Sequence, residues 1–216
     1  MPALNYGIEQ AEAPWIARQD ADDFSDPRRL EIQWKSLNAD PKAIFSYTDV
    51  ELIGEGSEGA GCARFPRTQA MMALRLCWQC GIVHSTVMFK KEAVLAAGGY
   101  QGQHAEDYIL WGKLIESGRW VGISQKLVKF RIHPVSLSSR NRAPMLALTE
   151  QIGIEHCRRF MSLSAAEAKR AHAVLLAGEK RRWKDWCWFL NHCVPQLRWK
   201  SAELYAWLGL QTLKML

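Results

Sequence analysis

The sequence predicts an α/β fold that gives way to an all-helical tail, and three observations predict it. "AIFSYTDVELI" (43–53) is dense in β-branched and aromatic residues, which is a strand signature. Stretches of helical period, such as "TQAMMALRLCWQC" and "EDYILWGKLIESG", separate it from further short strands. After Arg140 only helical patterns remain. Strands alternating with helices argue for helices laid on a largely parallel sheet. The expected division is residues 1–140 as the α/β portion and 141–216 as a helical C-terminal extension.

Each element follows from local chemistry. Leu4, Ile8 and Ala11 form a short helical stripe, and "PWIARQ" reads as a brief strand running into Asp20. Asp26 is expected to cap a helix that has Pro27 at its first position, where no hydrogen-bonded N–H is needed. Leu30, Trp34 and Leu37 then fall on one face. "TVMF" reads as a strand, and "KKEAVLAAGGY" as a helix stopped by Gly98 and Gly99. "LVKFRIH" is a strand with Val128, Phe130 and Ile132 on one side and Lys129 and Arg131 on the other. In the tail, "SAAE" (164–167) has the form of a capping box. Trp183, Cys187 and Leu190 make a stripe, Pro195 interrupts it, and an amphipathic helix closes the chain.

Hydrophobic residues make up 48% of the 216 and charged residues 23%, a globular and not a disordered composition. The net charge of +6 suits anionic partners without choosing among them. No stretch approaches the roughly 18 apolar residues of a membrane span, and no leader pattern opens the chain. Six cysteines without a secreted framework point to a reducing cytoplasm. "CWQC" (77–80) lacks a second pair, so buried thiols are expected there before metal or redox use. The loop "GEGSEGAG" (54–61) lacks the phosphate-cradling order and reads as a plain connection. "KRRWKDWCWFL" interleaves basic and aromatic residues as single-strand binders do, but its tryptophans also suit a helix core, and no nucleic-acid partner is expected.

The chemistry centres on "RQDADDFSDPRR". Asp20, Asp22 and Asp23 crowd a turn at a strand end, where α/β folds bind ligands. Carboxylates so spaced can share Mg²⁺ or Mn²⁺. A solvated acidic turn is the plainer alternative, and D-x-D alone does not decide between them. Two further blocks stand beside it: "HSTVMFKKEAVLAAGGYQGQHAEDYILWGKL" (84–114) and "LVKFRIHPVSLS" (127–138). Together with "WIARQDADDFSDPRRLEIQ" they resemble, in order and spacing, the family 2 glycosyltransferases of the GT-A fold. The resemblance covers about residues 3–140.

That resemblance implies a partial, Rossmann-like GT-A mixed sheet flanked by helices. It implies metal-dependent, inverting transfer of a sugar from a nucleotide-diphosphate donor to a hydroxyl acceptor. Asp22 is then the implied direct metal ligand, Asp20 lies towards donor and metal, and Asp23 is a third candidate. Asp107 is the expected general base, with Glu106 as its supporting neighbour; acids favoured at a helix N-terminus are the alternative. Arg131 and His133 are expected at the diphosphate or metal, against a surface arginine and a turn histidine. His84 is as much a core candidate as a contact. Mn²⁺ or Mg²⁺ is the implied cofactor, and a glycan or lipid-linked glycan the implied acceptor.

One departure qualifies this. The family's opening strand–helix–strand unit, which holds the nucleotide base and ribose, has no counterpart before the acidic turn. The expectations are therefore a poorly active chain on its own, an exposed sheet edge and apolar face, and a partner chain that could cover them. A non-catalytic remnant or interaction module is the competing reading. The basic, Trp-containing tail adds an expectation of peripheral contact with the inner face of a membrane.

Overall fold

A computed structural model describes residues 2–54, 61–133 and 142–215. The glycine-rich loop at 55–60, the "PVSLS" end of the third block and the 140/141 boundary lie outside the described residues. Helix α1 (Pro2–Gln10) leads into β1 (Trp15–Ala17) and the acidic turn. There follow β2 (Phe24–Ser25), α2 (Arg29–Asn38), β3 (Ala43–Ile53), β4 (Cys62–Ala63) and α3 (Gln69–Leu76). A 3₁₀ turn (His84–Thr86) precedes β5 (Met88–Lys90), α4 (Lys91–Ala96), α5 (Glu106–Ser117) and β6 (Arg119–Arg131). The tail holds α6 (Arg142–Phe160), α7 (Ala165–Leu176), α8 (Trp183–Trp188) and α9 (Ala202–Leu213).

The sheet runs β1-β5-β3-β6-β2, with β4 on β3. It is mixed, but only β3 and β6 pair in parallel, so the expected largely parallel sheet is corrected. The short strands reverse direction, and the one long crossover, from β3 to β6, carries the parallel pair. β6 also begins eight residues before the "LVKFRIH" run. Its first half includes Gly122 and Ser124, which disguise a strand in sequence.

Two apolar stripes are rotated from expectation. On α2 the buried residues are Arg29, Gln33 and Leu37, while Leu30 and Trp34 are exposed. Asp26 does not cap that helix: its Oδ1 accepts from the Arg28 N–H at 2.8 Å, within a turn that delays the helix to Arg29. In the tail the core takes Trp186, Phe189 and Cys193. Trp183 is exposed, and Cys187 and Leu190 are half-buried. A π-turn at Phe189–Cys193 and a 3₁₀ turn holding Pro195 shift the helical phase there.

Other expectations hold. Gly98 and Gly99 adopt φ of +85° and +66° after α4, a conformation costly for residues with a Cβ. Ser164 and Glu167 form both bonds of the capping box. Cys77 is buried and Cys80 half-buried, both free, although α3 ends at Leu76 and leaves them in the following turn. A single apolar cluster runs from Phe45, stacked between Trp111 (5.8 Å) and Trp120 (5.9 Å), through α3 and α5 to Phe160 and Trp186 of the tail. No described helix is long and apolar enough to cross a membrane.

Candidate active site

β1 delivers the chain to the acidic turn, and Arg29 holds the turn from below. This guanidinium is buried with all five N–H groups satisfied. Nε donates to Gln33 Oε1 (2.9 Å), Nη1 to Gln19 Oε1 and Ser25 Oγ (both 2.9 Å), and Nη2 to the Arg18 and Val87 carbonyls (2.8 and 3.1 Å). Gln33 in turn donates to Ser46 Oγ (3.0 Å) and the Thr86 carbonyl (2.9 Å). Burial lowers the Arg29 pKa to about 10, against the pull of the Asp23 charge. The positive group that accompanies the crowded aspartates is thus part of the fold itself.

The three aspartates have different partners. Asp20 pairs with Arg18, and its Oδ2 accepts from Ser85 Oγ at 2.8 Å. Asp22 is exposed and lies with Oδ2 2.8 Å from His133 Nε2, a contact that holds its carboxyl below the usual range. Asp23 is buried; Oδ1 accepts from the Arg131 backbone N–H at 2.8 Å, and Oδ2 has no partner. Burial, reinforced by the neighbouring aspartates, raises its pKa. Arg131 donates from Nε to the Asp22 carbonyl (3.1 Å) and covers the Phe24 ring at 5.5 Å. So β6 brings Arg131 and His133 to the acidic turn from more than a hundred residues away.

The second acidic group opens α5. Ala105 enters the helix in the left-handed region, φ +52°, a strained conformation of a kind found at functional sites. Asp107 Oδ1 accepts from the Tyr108 N–H at 2.7 Å, and Cys80 Sγ lies 3.8 Å from Oδ2. Burial pushes the Asp107 pKa up to about 6, with the Glu106 charge adding to it. Both acids line a cavity of about 570 Å³ shared with Cys80, His84 and His104.

The 3₁₀ turn joins the two groups. His84 lines the Asp107 cavity, and Ser85, the next residue, bonds to Asp20. His84 Nε2 meets the Tyr100 hydroxyl at 2.6 Å, and burial lowers its pKa to about 4, so the imidazole is neutral. Tyr100, Ser85, Arg29 and Gln33 were not singled out from sequence. The "PRRLEIQ" stretch (27–33) carried the signal for the last two, since it places Arg29 and Gln33 one turn apart on α2. Among the described residues no three His, Cys, Asp or Glu side chains converge as a metal cluster; Asp22 and His133 come together, while Asp20 and Asp23 turn to other partners.

Comparison with known proteins bears on the family and the fold. Residues 1–94 match the family model described as glycosyl transferase family 2. The O-antigen biosynthesis glycosyltransferase WbnJ of Escherichia coli is 33% identical over 135 residues, 61% of this chain and 52% of its own length. The amylovoran biosynthesis glycosyltransferase AmsE of Erwinia amylovora is 31% identical over 132 residues, 60% of this chain and 49% of its own. An E. coli UDP-Gal:alpha-D-GlcNAc-diphosphoundecaprenol beta-1,3-galactosyltransferase is 28% identical over 133 residues, 60% and 48%. The chain spans about half the length of the curated relatives it matches. A crystal structure of S. aureus TarS 1-349 in complex with UDP shares the fold, with a TM-score of 0.54 at 12% identity over 94% of this chain and 56% of that one. The resemblance read from the three blocks is borne out: the chain is a relative of the family 2 glycosyltransferases, and its fold is of the GT-A kind.

Proposed function

We propose that this chain carries the acid–base and metal-facing part of a glycosyltransferase. The reaction is inverting transfer of a sugar from a nucleotide-diphosphate donor to a hydroxyl of a glycan or lipid-linked glycan. The observation that carries the proposal is the 3₁₀ turn, which sets Asp20 on one side, through Ser85, and the Asp107 cavity on the other, through His84. The relatives' names, in O-antigen and amylovoran biosynthesis, support glycan assembly.

Asp107 accepts the proton of the acceptor hydroxyl as its oxygen bonds to the sugar carbon and the bond from that carbon to the diphosphate oxygen breaks. A carboxyl poised near pH 6 suits that step better than an ordinary aspartate. Glu106 supports it. Asp20 and Arg131 face the donor. Mn²⁺ or Mg²⁺ is assigned to the acidic turn, where Asp22 and His133 would hold it with an oxygen and a nitrogen that lie 2.8 Å apart, and Asp23 is the third candidate. When bound, such a cation supplies charge neutralisation at the leaving diphosphate. The site works at the inner face of the membrane, where lipid-linked acceptors lie.

Calorimetry with UDP and Mn²⁺ tests the metal assignment. Asp22→Ala should weaken binding by about tenfold or more. Equal binding by wild type and variant would remove Asp22 from the metal site.

A further inference from the structure

A second site lies in the tail. Arg170, Lys180, Arg181, Arg182 and Asp185 line a cavity of about 420 Å³ between α7 and α8. Four cations therefore face one carboxylate among the described residues. That carboxylate is already committed: Oδ1 accepts from Arg170 Nη2 at 3.0 Å and Oδ2 from Arg182 Nε at 2.7 Å. Arg181 Nε and Nη1 make no bond to it.

Arg181 is only 8% exposed, yet its Nε and Nη1 are buried without a hydrogen-bond partner. Its guanidinium lies 4.5 Å over the Trp186 ring, and that ring is fixed by a 2.9 Å bond from Nε1 to Thr212 Oγ1. A ring face returns only about 0.5–2 kcal/mol to a cation. Withdrawing a charge from water without an anion costs several kcal/mol. Arg29, the other deeply buried arginine, shows the contrast, since all five of its N–H groups are used. A buried guanidinium without an anion, on the wall of a cavity that holds three further cations, is an arrangement that favours a phosphate group.

We propose that this cavity binds a phosphate group, with Arg181 as its main donor, separately from the acid sites. The phosphate comes from an anionic lipid headgroup or from a soluble phosphate ester. Leu176 and Trp183, chain neighbours of the cavity, are 60% and 45% exposed, which is why lipid has to be tested.

The test uses the purified chain and inorganic phosphate, followed by calorimetry. Arg181→Met keeps a stem over Trp186 and removes the donors; it should weaken phosphate binding by about tenfold or more. Arg181→Lys, a milder change if the methionine variant folds poorly, should lose several-fold, because a compact ammonium replaces the guanidinium's several donors. Arg158→Gln, at an exposed pair with Glu155 on α6, should leave binding unchanged. Cosedimentation with phosphatidylcholine vesicles, with and without phosphatidylglycerol, separates the sources. Capture by the anionic vesicles that Arg181→Met abolishes supports the headgroup, and phosphate binding without capture supports the soluble ester. The site is overturned if wild type binds neither phosphate nor anionic vesicles, if folded Arg181 variants bind as wild type, or if Arg158→Gln loses as much as they do.

Discussion

The two acidic groups have been treated oppositely by the fold. At the turn, Asp22 stands in water against His133 and is held ionised below its usual range. At the start of α5, Asp107 is half-buried on a cavity wall, and burial pushes its pKa up to about 6. Both stretches are acidic pairs in sequence. On the reading proposed above, the first would keep charge available to attract a cation, and the second would keep a carboxyl close to exchanging its proton. Environment, not residue type, divides the labour.

The largest way to break this contrast is Asp107→Asn. In a form competent for transfer it should lower the rate by about 10²–10⁴ while leaving nucleotide–metal binding nearly intact. If donor affinity falls in parallel with rate, Asp107 belongs to the first kind of site. Next comes Arg29→Met, which strands five acceptors beneath the turn. It should cost roughly 3–5 kcal/mol in urea unfolding; a loss below about 1 kcal/mol would mean the turn stands without its anchor.

Stability against pH sharpens the comparison. The folded pKa of Asp107 lies above its unfolded value of 3.8, so its ionisation opposes folding above about pH 6, by up to roughly 2–3 kcal/mol. Asp107→Asn should therefore stabilise the chain near pH 7 and cease to do so near pH 4. His84 and His156 have the reverse sign. Both have folded values of about 4, below the ordinary 6.5, so each withdraws stability as pH falls from 6.5 towards 4. Thermal unfolding from pH 4 to 8 checks both limbs. The smallest effect is expected from Glu106→Gln, a loss of only several-fold in rate. If that variant is dead and Asp107→Asn active, the base has been misassigned.

Much of this was legible in sequence because it rests on local chemistry. β3, the capping box at Ser164 and the glycines after α4 need only their own neighbours. The acid turn, the "ED" pair and the Arg131–His133 end of β6 were visible because three blocks keep a spacing. The buried face of α2 was not. Apolar period favours Leu30 and Trp34 inside, whereas a core that must support a carboxylate turn took Arg29 and Gln33. The tail stripe was misplaced because a π-turn changes the angle between successive residues. The direction of strand pairing depends on contacts distant in the chain, and no single segment announces it.

The end of α3 has a consequence for how this protein can be recombined. Its last carbonyls point at the tail. Leu76 accepts from His156 Nδ1 (2.8 Å) and Tyr108 Oη (2.6 Å), and Cys77 from His172 Nδ1 (2.7 Å). A Cβ added to Gly112 would stand 2.0 Å from His156 Nε2, so α5 and α6 approach each other only because that position has no side chain. A chimera that grafts another tail onto this sheet must supply both imidazoles, each protonated on Nδ1, and fit the groove at Gly112. These residues should therefore pass between lineages as a set: exchange of the tail alone would strip the Cys77 carbonyl of its imidazole and leave Leu76 with Tyr108 Oη alone.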